Sequence, residues 1–431
     1  MPSRLFRSTQ FAVAIAAVGI VATTALPEAE GARKASMAEN RLILDKNDVY
    51  LFPQLGVEYT NLVSFEYGFE QDEGSGLFLF GDESRAIGAG IHRGDVAGPR
   101  QYFGHDPHLG NLGPVDDVLS QQLDMTNQLL EPGDQIVAPG LFEPSIIGDL
   151  FGSIDVGNGL LGARVALGHG AAITRTDGEE DSADTQTFLG STLGYSYRGD
   201  LRFDSSLNLQ YSRGGIAEDT DLLDASFFLG GLSARLYSEI AEDVDLGALA
   251  DLYYSSTNFT QFEPDGEDVN QRTANLSEAA AFVGVGPVYT IEQTTISAYA
   301  VLGYARRSAD PDIDEEDYRS VASNTMIPGL NLAADIELLE WLYFRSGMQY
   351  NYGVESGSVE TEEEDAPGAS FRSAEFGWRA GMGLEVNNFT LDGTFQSGFL
   401  TNGPSFLGGA LGDANDNDVG MFMMVAAGYQ F

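Results

Sequence analysis

The chain has 431 residues, no cysteine, 65 Asp and Glu against 22 Lys and Arg, and a formal net charge of −43. The missing cysteines exclude disulfide staples, thiolate catalysis and cysteine metal centres. The charge balance excludes a nucleic-acid partner, whose phosphates need clustered Lys and Arg.

At the N-terminus, Arg4 and Arg7 precede an apolar run from Phe11 to Leu26 that Pro27 closes. A basic stretch followed by an apolar one reads as a secretory signal peptide. Small residues at −3 and −1 allow cleavage after Ala25, Gly31 or Ala38; the longest choice assigns residues 1–38 to the signal peptide. Beyond it, no run approaches the roughly 20 apolar residues of a membrane helix, so a membrane-spanning form of this chain is a barrel. Residues 39–60 are expected to form a periplasmic or plug segment, and 61–431 the barrel.

Residues 61–68, 76–81, 85–92 and 146–156 read as short strands. Between the last two lies a long insertion at 93–144, with an amphipathic helix expected over 115–130. A structureless loop of that length is unusual in a compact domain, so it is expected to fold over or into the barrel. It carries "HDPH" (105–108), two histidines beside Asp106 with no third ligand fixed by spacing.

From Gly159 onward one unit repeats: a strand, a very short turn, a strand, a long polar loop. The short turns are expected at 198–200, 241–243, 292–294, 338–340 and 387–388. The long loops are expected at 174–185, 213–221, 260–273, 307–320, 355–370 and 401–418. A soluble sandwich has no reason to sort its connections by length, whereas a bacterial outer-membrane barrel has short periplasmic turns and long outer loops. The loops are strongly acidic, and divalent cations are the one cofactor class they suggest.

The strands alternate with a period of two. In "DLRFDSSLNLQYS" (200–212), Leu201, Phe203, Leu207 and Leu209 share one parity; Arg202, Asp204, Asn208 and Gln210 share the other. The same parity points Arg164, Arg235, Glu239, Asp251, Asp335, Glu337, Arg345, Arg379, Glu385 and Asp392 away from the apolar face. Burying so many charges in a soluble core is costly unless each is paired. As lumen-lining residues of a barrel they meet water. Aromatics near strand ends, among them Tyr195, Tyr197, Tyr211, Tyr253, Tyr254, Tyr304, Trp341 and Tyr343, suit an interfacial girdle. The segment 279–291 is ambiguous, with apolar residues on both parities. His169 shares the parity of Val165 and Leu167, which places it toward lipid and argues against catalysis.

The chain's last strand, "VGMFMMVAAGYQF", sets Val425, Ala427, Tyr429 and Phe431 on one parity. In this it resembles outer-membrane β-barrel proteins, and the resemblance implies that these four residues are the signal read by the barrel-assembly machinery. "LFPQL" (51–55) precedes the first strand. Its place resembles that of the Asn-Pro-Ala motif in the long-chain fatty-acid transporter family, which has an N-terminal plug; the motif itself is lacking here.

The expectation is therefore an all-β, closed antiparallel transmembrane barrel of 14–16 strands in the outer membrane of a Gram-negative bacterium. It is expected to be a channel or transporter for small solutes and not an enzyme, with outer-membrane lipids and the assembly machinery as partners. Uptake of hydrophobic compounds, or a non-transporting surface scaffold or adhesin, are the alternatives.

Overall fold

The computed structural model describes residues 32–68, 73–93, 147–174, 182–218, 221–265, 268–313, 316–317, 319–360, 369–395 and 422–431. The strands are β1 (Leu62–Gly68), β2 (Glu73–Asp82), β3 (Arg85–Arg93), β4 (Ile147–Asp155), β5 (Gly159–Thr174), β6 (Ser182–Arg198), β7 (Leu201–Glu218), β8 (Asp221–Ala241) and β9 (Val244–Asp265). They continue as β10 (Asp268–Ile291), β11 (Thr294–Ile313), β12 (Glu316–Asp317), β13 (Arg319–Leu339), β14 (Leu342–Glu360), β15 (Ala369–Val386), β16 (Phe389–Phe395) and β17 (Phe422–Gln430).

All pairings are antiparallel, and β17 pairs back onto β1, with Val63 opposite Tyr429 and Phe65 opposite Ala427. The two-residue β12 only tops β11, so sixteen staves close the ring. Closure gives every stave a neighbour on each side, which a lipid environment requires. The even number returns both ends to one rim, where the Phe431 amide donates to the Asn61 carbonyl (2.9 Å).

At that rim the connections are minimal: 83–84, 156–158, 199–200, 242–243, 292–293, 340–341 and 387–388. Asp243, Glu292 and Asn387 take left-handed backbone there (φ 63°, 53° and 56°), as tight hairpins demand. The expected turn at 338–340 is shifted, because Leu338 and Leu339 stay in β13 beyond a bulge at Glu337. At the other rim, the stretches 213–221, 260–273 and 307–320, expected as loops, are mostly strand. About 9–11 residues cross a bilayer, yet β10 has 24. Backbone pairing needs no apolar face in water, so the hairpins keep their ladders past the point where alternation stops. Beyond Arg93, the insertion 93–144 with its expected helix at 115–130 and "HDPH" lies outside the described residues, as does the loop at 401–418.

The alternation turns the usual arrangement of a soluble protein inside out. On β7, Asp204 and Asn208 are both 0% exposed and Gln210 is 2%, while Leu207, Leu209 and Tyr211 are 40–44% exposed. The outer faces repeat this: Leu150, Leu193, Leu232, Leu252, Val283, Leu302 and Phe376 are all exposed. Tyr195, Tyr197, Tyr211, Tyr254, Tyr304 and Trp341 point outward as a girdle requires. Tyr253 and Tyr343 are corrections, since both are buried inside the barrel. Tyr253 has the opposite parity to Tyr254, and Trp341 lies in the turn before the strand that carries Tyr343.

Residues 32–61 occupy the interior. They form a short helix, α1 (Ala32–Ser36), and two 3-10 turns at Lys46–Tyr50 and Pro53–Val57. Asp45 caps the first turn: its carboxylate accepts from the Asn47 amide (2.9 Å), and Asp48 accepts from the Asp45 amide (3.2 Å). Helix α1 packs on β14–β17 and the second turn on β2–β6. Two wall glycines make room for this segment. The backbone of Met37 lies where a Cβ of Gly347 would be, and that of Gln54 where a Cβ of Gly162 would be.

Candidate functional site

The chemistry of this protein lies in its lumen, and the lumen's charged side chains converge on the interior segment. Asp48 is the hub. Arg235 of β8 donates to it (2.6 Å) and to Asp204 of β7 (2.9 Å), while Lys34 of α1 pairs with its other oxygen. Arg33 links Asp45 (3.0 Å) to Asp335 of β13 (2.8 Å). Arg345 bridges the same Asp335 (3.0 Å) to Asp392 on β16. Arg41 is bound by Asp251 on β9, and Arg164 by Asp149 on β4 (2.6 Å). Near the rim, Arg198 and Arg202 share Glu58 (2.8 and 3.1 Å).

These pairs fix the charge state of the segment. Burial alone would raise the Asp48 carboxyl, but Arg235 and Lys34 outweigh it and hold the group below its ordinary value of 3.8. Burial opposes ionisation of Asp45 likewise, and Arg33, Lys46 and Lys34 reverse it. A buried charge left without its partner costs several kcal/mol, so the network ties residues 32–61 to the wall.

The fourteen residues expected to line the lumen separate into three groups. Arg164, Asp204, Asn208, Gln210, Arg235, Asp251, Asp335, Arg345 and Asp392 are buried inside the barrel. Arg202 and Glu337 are half-buried, and Arg379 is half-buried and reaches Glu39 (3.3 Å). Glu239 and Glu385 are solvent-exposed beside rim turns, Glu239 lining a recess with Leu42, Ile43 and Leu44 and Glu385 next to the inward Tyr343. One correction concerns water. The charges were expected to face a wet passage; the buried ones instead bind one another and residues 33–58. Val425 and Ala427 are half-exposed and Tyr429 is exposed on the outer face of β17, while Met424 and Ala426 point inward. His169 is exposed on the outside, its Nδ1 3.3 Å from Thr187 Oγ1.

Sequence reasoning missed the apolar part of the lumen. Phe227 and Leu229 of β8, Leu249 and Tyr253 of β9, Phe282 of β10 and Val301 of β11 all point inward. They form one buried cluster with Leu42, Val49, Leu51, Phe52 and Leu55 of the interior segment. Tyr253 and Phe282 stack at 6.4 Å, and the Arg235 guanidinium lies 4.5 Å over the Phe52 ring. The signal was the double-parity stretch 279–291, whose inward members are Phe282 and Val288.

Apolar side chains outside, polar and charged ones inside, and a closed ladder leave one solvent that fits: lipid around the wall. This is a membrane-spanning β-barrel. No family model matches the chain, and no curated protein matches it in sequence. Among solved structures, the barrel is similar to a deletion mutant of TodX described as a monoaromatic hydrocarbon channel (TM-score 0.38, 10% identity, 95% of this chain and 100% of that one). It is also similar to the ferric yersiniabactin uptake receptor FyuA of Yersinia pestis (0.37, 8%, 78% and 68%). A third is the siderophore receptor PiuA of Acinetobacter baumannii (0.37, 10%, 58% and 46%), of whose length the chain spans less than half. The assignment of this barrel rests on the geometry above.

Proposed function

We propose that the protein is an outer-membrane transporter passing small, mainly apolar solutes through a lumen that residues 32–61 close at the periplasmic end. The observation that carries the reading is the inward apolar wall on β8–β11, continuous with the apolar face of the interior segment. A passage for polar solutes or ions would need free lumen charges, and the buried ones are engaged in ion pairs. The exposed outer face supports lipids as partners, and the apolar parity of β17 supports assembly through Val425, Ala427, Tyr429 and Phe431.

The test is tracer flux into proteoliposomes whose outer leaflet is lipopolysaccharide, which slows apolar solutes on its own. An uncharged aromatic tracer is expected to enter at least several-fold faster with the protein than without, while a sugar of similar mass is not. Equal aromatic flux with and without protein overturns the reading.

A further inference from the structure

A recess of about 420 Å³ opens at the periplasmic rim, between the interior segment and the ends of β7–β11. Leu42, Ile43, Leu44 and Val288 with the Tyr237 ring give it an apolar floor. The charged side chains around that floor are of two kinds. Its cations are engaged within the protein: Arg33 binds Asp45 and Asp335 and donates to the Leu44 carbonyl (2.6 Å), and Arg202 binds Glu58 (3.1 Å). Its carboxylates, Asp200, Glu239 and Asp245, are in no ion pair among the described residues. Glu239 and Asp245 stand directly opposite each other on β8 and β9. Like charges so placed destabilise a sheet, and a cation between them relieves the repulsion. The recess therefore joins an apolar floor to an uncompensated negative mouth.

The same sign continues along the rim. The turns 199–200, 242–243 and 292–293 carry Asp200, Glu242, Asp243 and Glu292, all exposed and in no ion pair among the described residues. Neighbouring strands lie about 4.8 Å apart, so the acidic arc from β7 to β11 runs for about 20 Å. A small cation filling the recess reaches only part of that arc. An extended chain covers it with about six residues, and its alternate side chains point to one face. We propose that this arc docks a basic, extended segment of a periplasmic protein, one Lys or Arg side chain of which enters the recess. The aliphatic stem of that side chain lies on Leu42, Ile43 and Val288, and its charged head sits between Glu239 and Asp245. Long cationic side chains divide themselves between apolar and polar surroundings in this way. Thr290 and Thr295, opposite each other on β10 and β11 and both lining the recess, offer hydroxyls to the segment's amides. Docking leaves the ion pairs of Arg33 and Arg202 intact, so the site does not depend on what the lumen carries.

The test is the fluorescence anisotropy of a labelled Ala-Lys-Ala-Lys-Ala-Lys-Ala peptide titrated with the full chain in uncharged detergent micelles. Heat-dependent gel mobility checks that each variant is folded. Saturable binding to the unmodified protein is expected, and its absence overturns the proposal. Loss of two part-exposed ion pairs in Glu239→Gln with Asp245→Asn is expected to weaken binding about tenfold. Glu83→Gln with Glu340→Gln removes as much charge from the turns of other hairpins and is expected to bind as the unmodified protein does. Equal affinity in all three proteins overturns the site. Equal losses in the two double variants reduce it to bulk charge, which overturns it as well. Thr290→Trp keeps every carboxylate but fills the recess, and undiminished affinity there overturns the inserted side chain. N-acetyl-lysine methylamide at the peptide's concentration is expected not to displace it; complete displacement assigns the recess to a small cation and overturns the docked segment.

Discussion

Two residues show most directly how the interior segment is held. Asp48 is buried and pairs with both Arg235 and Lys34. Asp48→Ala leaves both cations buried, at a cost of about 3–5 kcal/mol, which is expected to detach the segment rather than unfold the barrel. Chemical denaturation followed by the heat-dependent gel mobility of the barrel checks this, with trypsin at Arg33 and Lys34 as the probe of release; protection equal to that of the unmodified protein contradicts it. The pH dependence follows from the same group. Its folded-state value lies below 3.8, so its stabilisation is complete above about pH 4 and is lost as pH falls through the depressed value. The Asp48 contribution to occlusion is therefore expected to be lost only in acid stronger than about pH 4, read as a rise in planar-bilayer conductance below that pH that Asp48→Asn does not show. Gly347 works by absence. Gly347→Val places a side chain against the backbone of Met37 and is expected to raise conductance while leaving the β13–β14 ladder intact.

At the scale of elements, the strands were legible because their solvent contrast is sharp. "DLRFDSSLNLQYS" alternates with the single exception of Ser205, and the burial along β7 follows it. The outer hairpins were not legible, since polar residues on both faces look like loop although their backbones remain paired. The interior segment was hidden for a different reason: its order comes from the wall, not from local periodicity. Arg33 and Lys34 look like the end of a leader, yet they bind Asp45, Asp335 and Asp48. Cleavage after Ala38 would remove both cations, taking from Asp45 its Arg33 ion pair and leaving Asp48 and Asp335 with Arg235 and Arg345 alone. N-terminal sequencing of the mature protein is accordingly expected to read a start at or upstream of Ala32, and a start at Glu39 contradicts this.

For the whole molecule, the charged half of the lumen could be read from parity, and nine of the fourteen named residues are buried there. Their partners could not, because pairs such as Arg235 with Asp48 join positions far apart in the chain. The apolar half was visible only as an ambiguity at 279–291, where inward Phe282 breaks the rule that lumen positions are polar. Both halves meet on residues 32–61, and that meeting is the central claim: the segment closes the barrel. Single-channel recording in planar bilayers tests it most directly, comparing the full chain with a variant lacking residues 32–60. Rare, brief openings of the full chain and stable steps in the variant are expected. Steady steps of equal size in both would contradict the account.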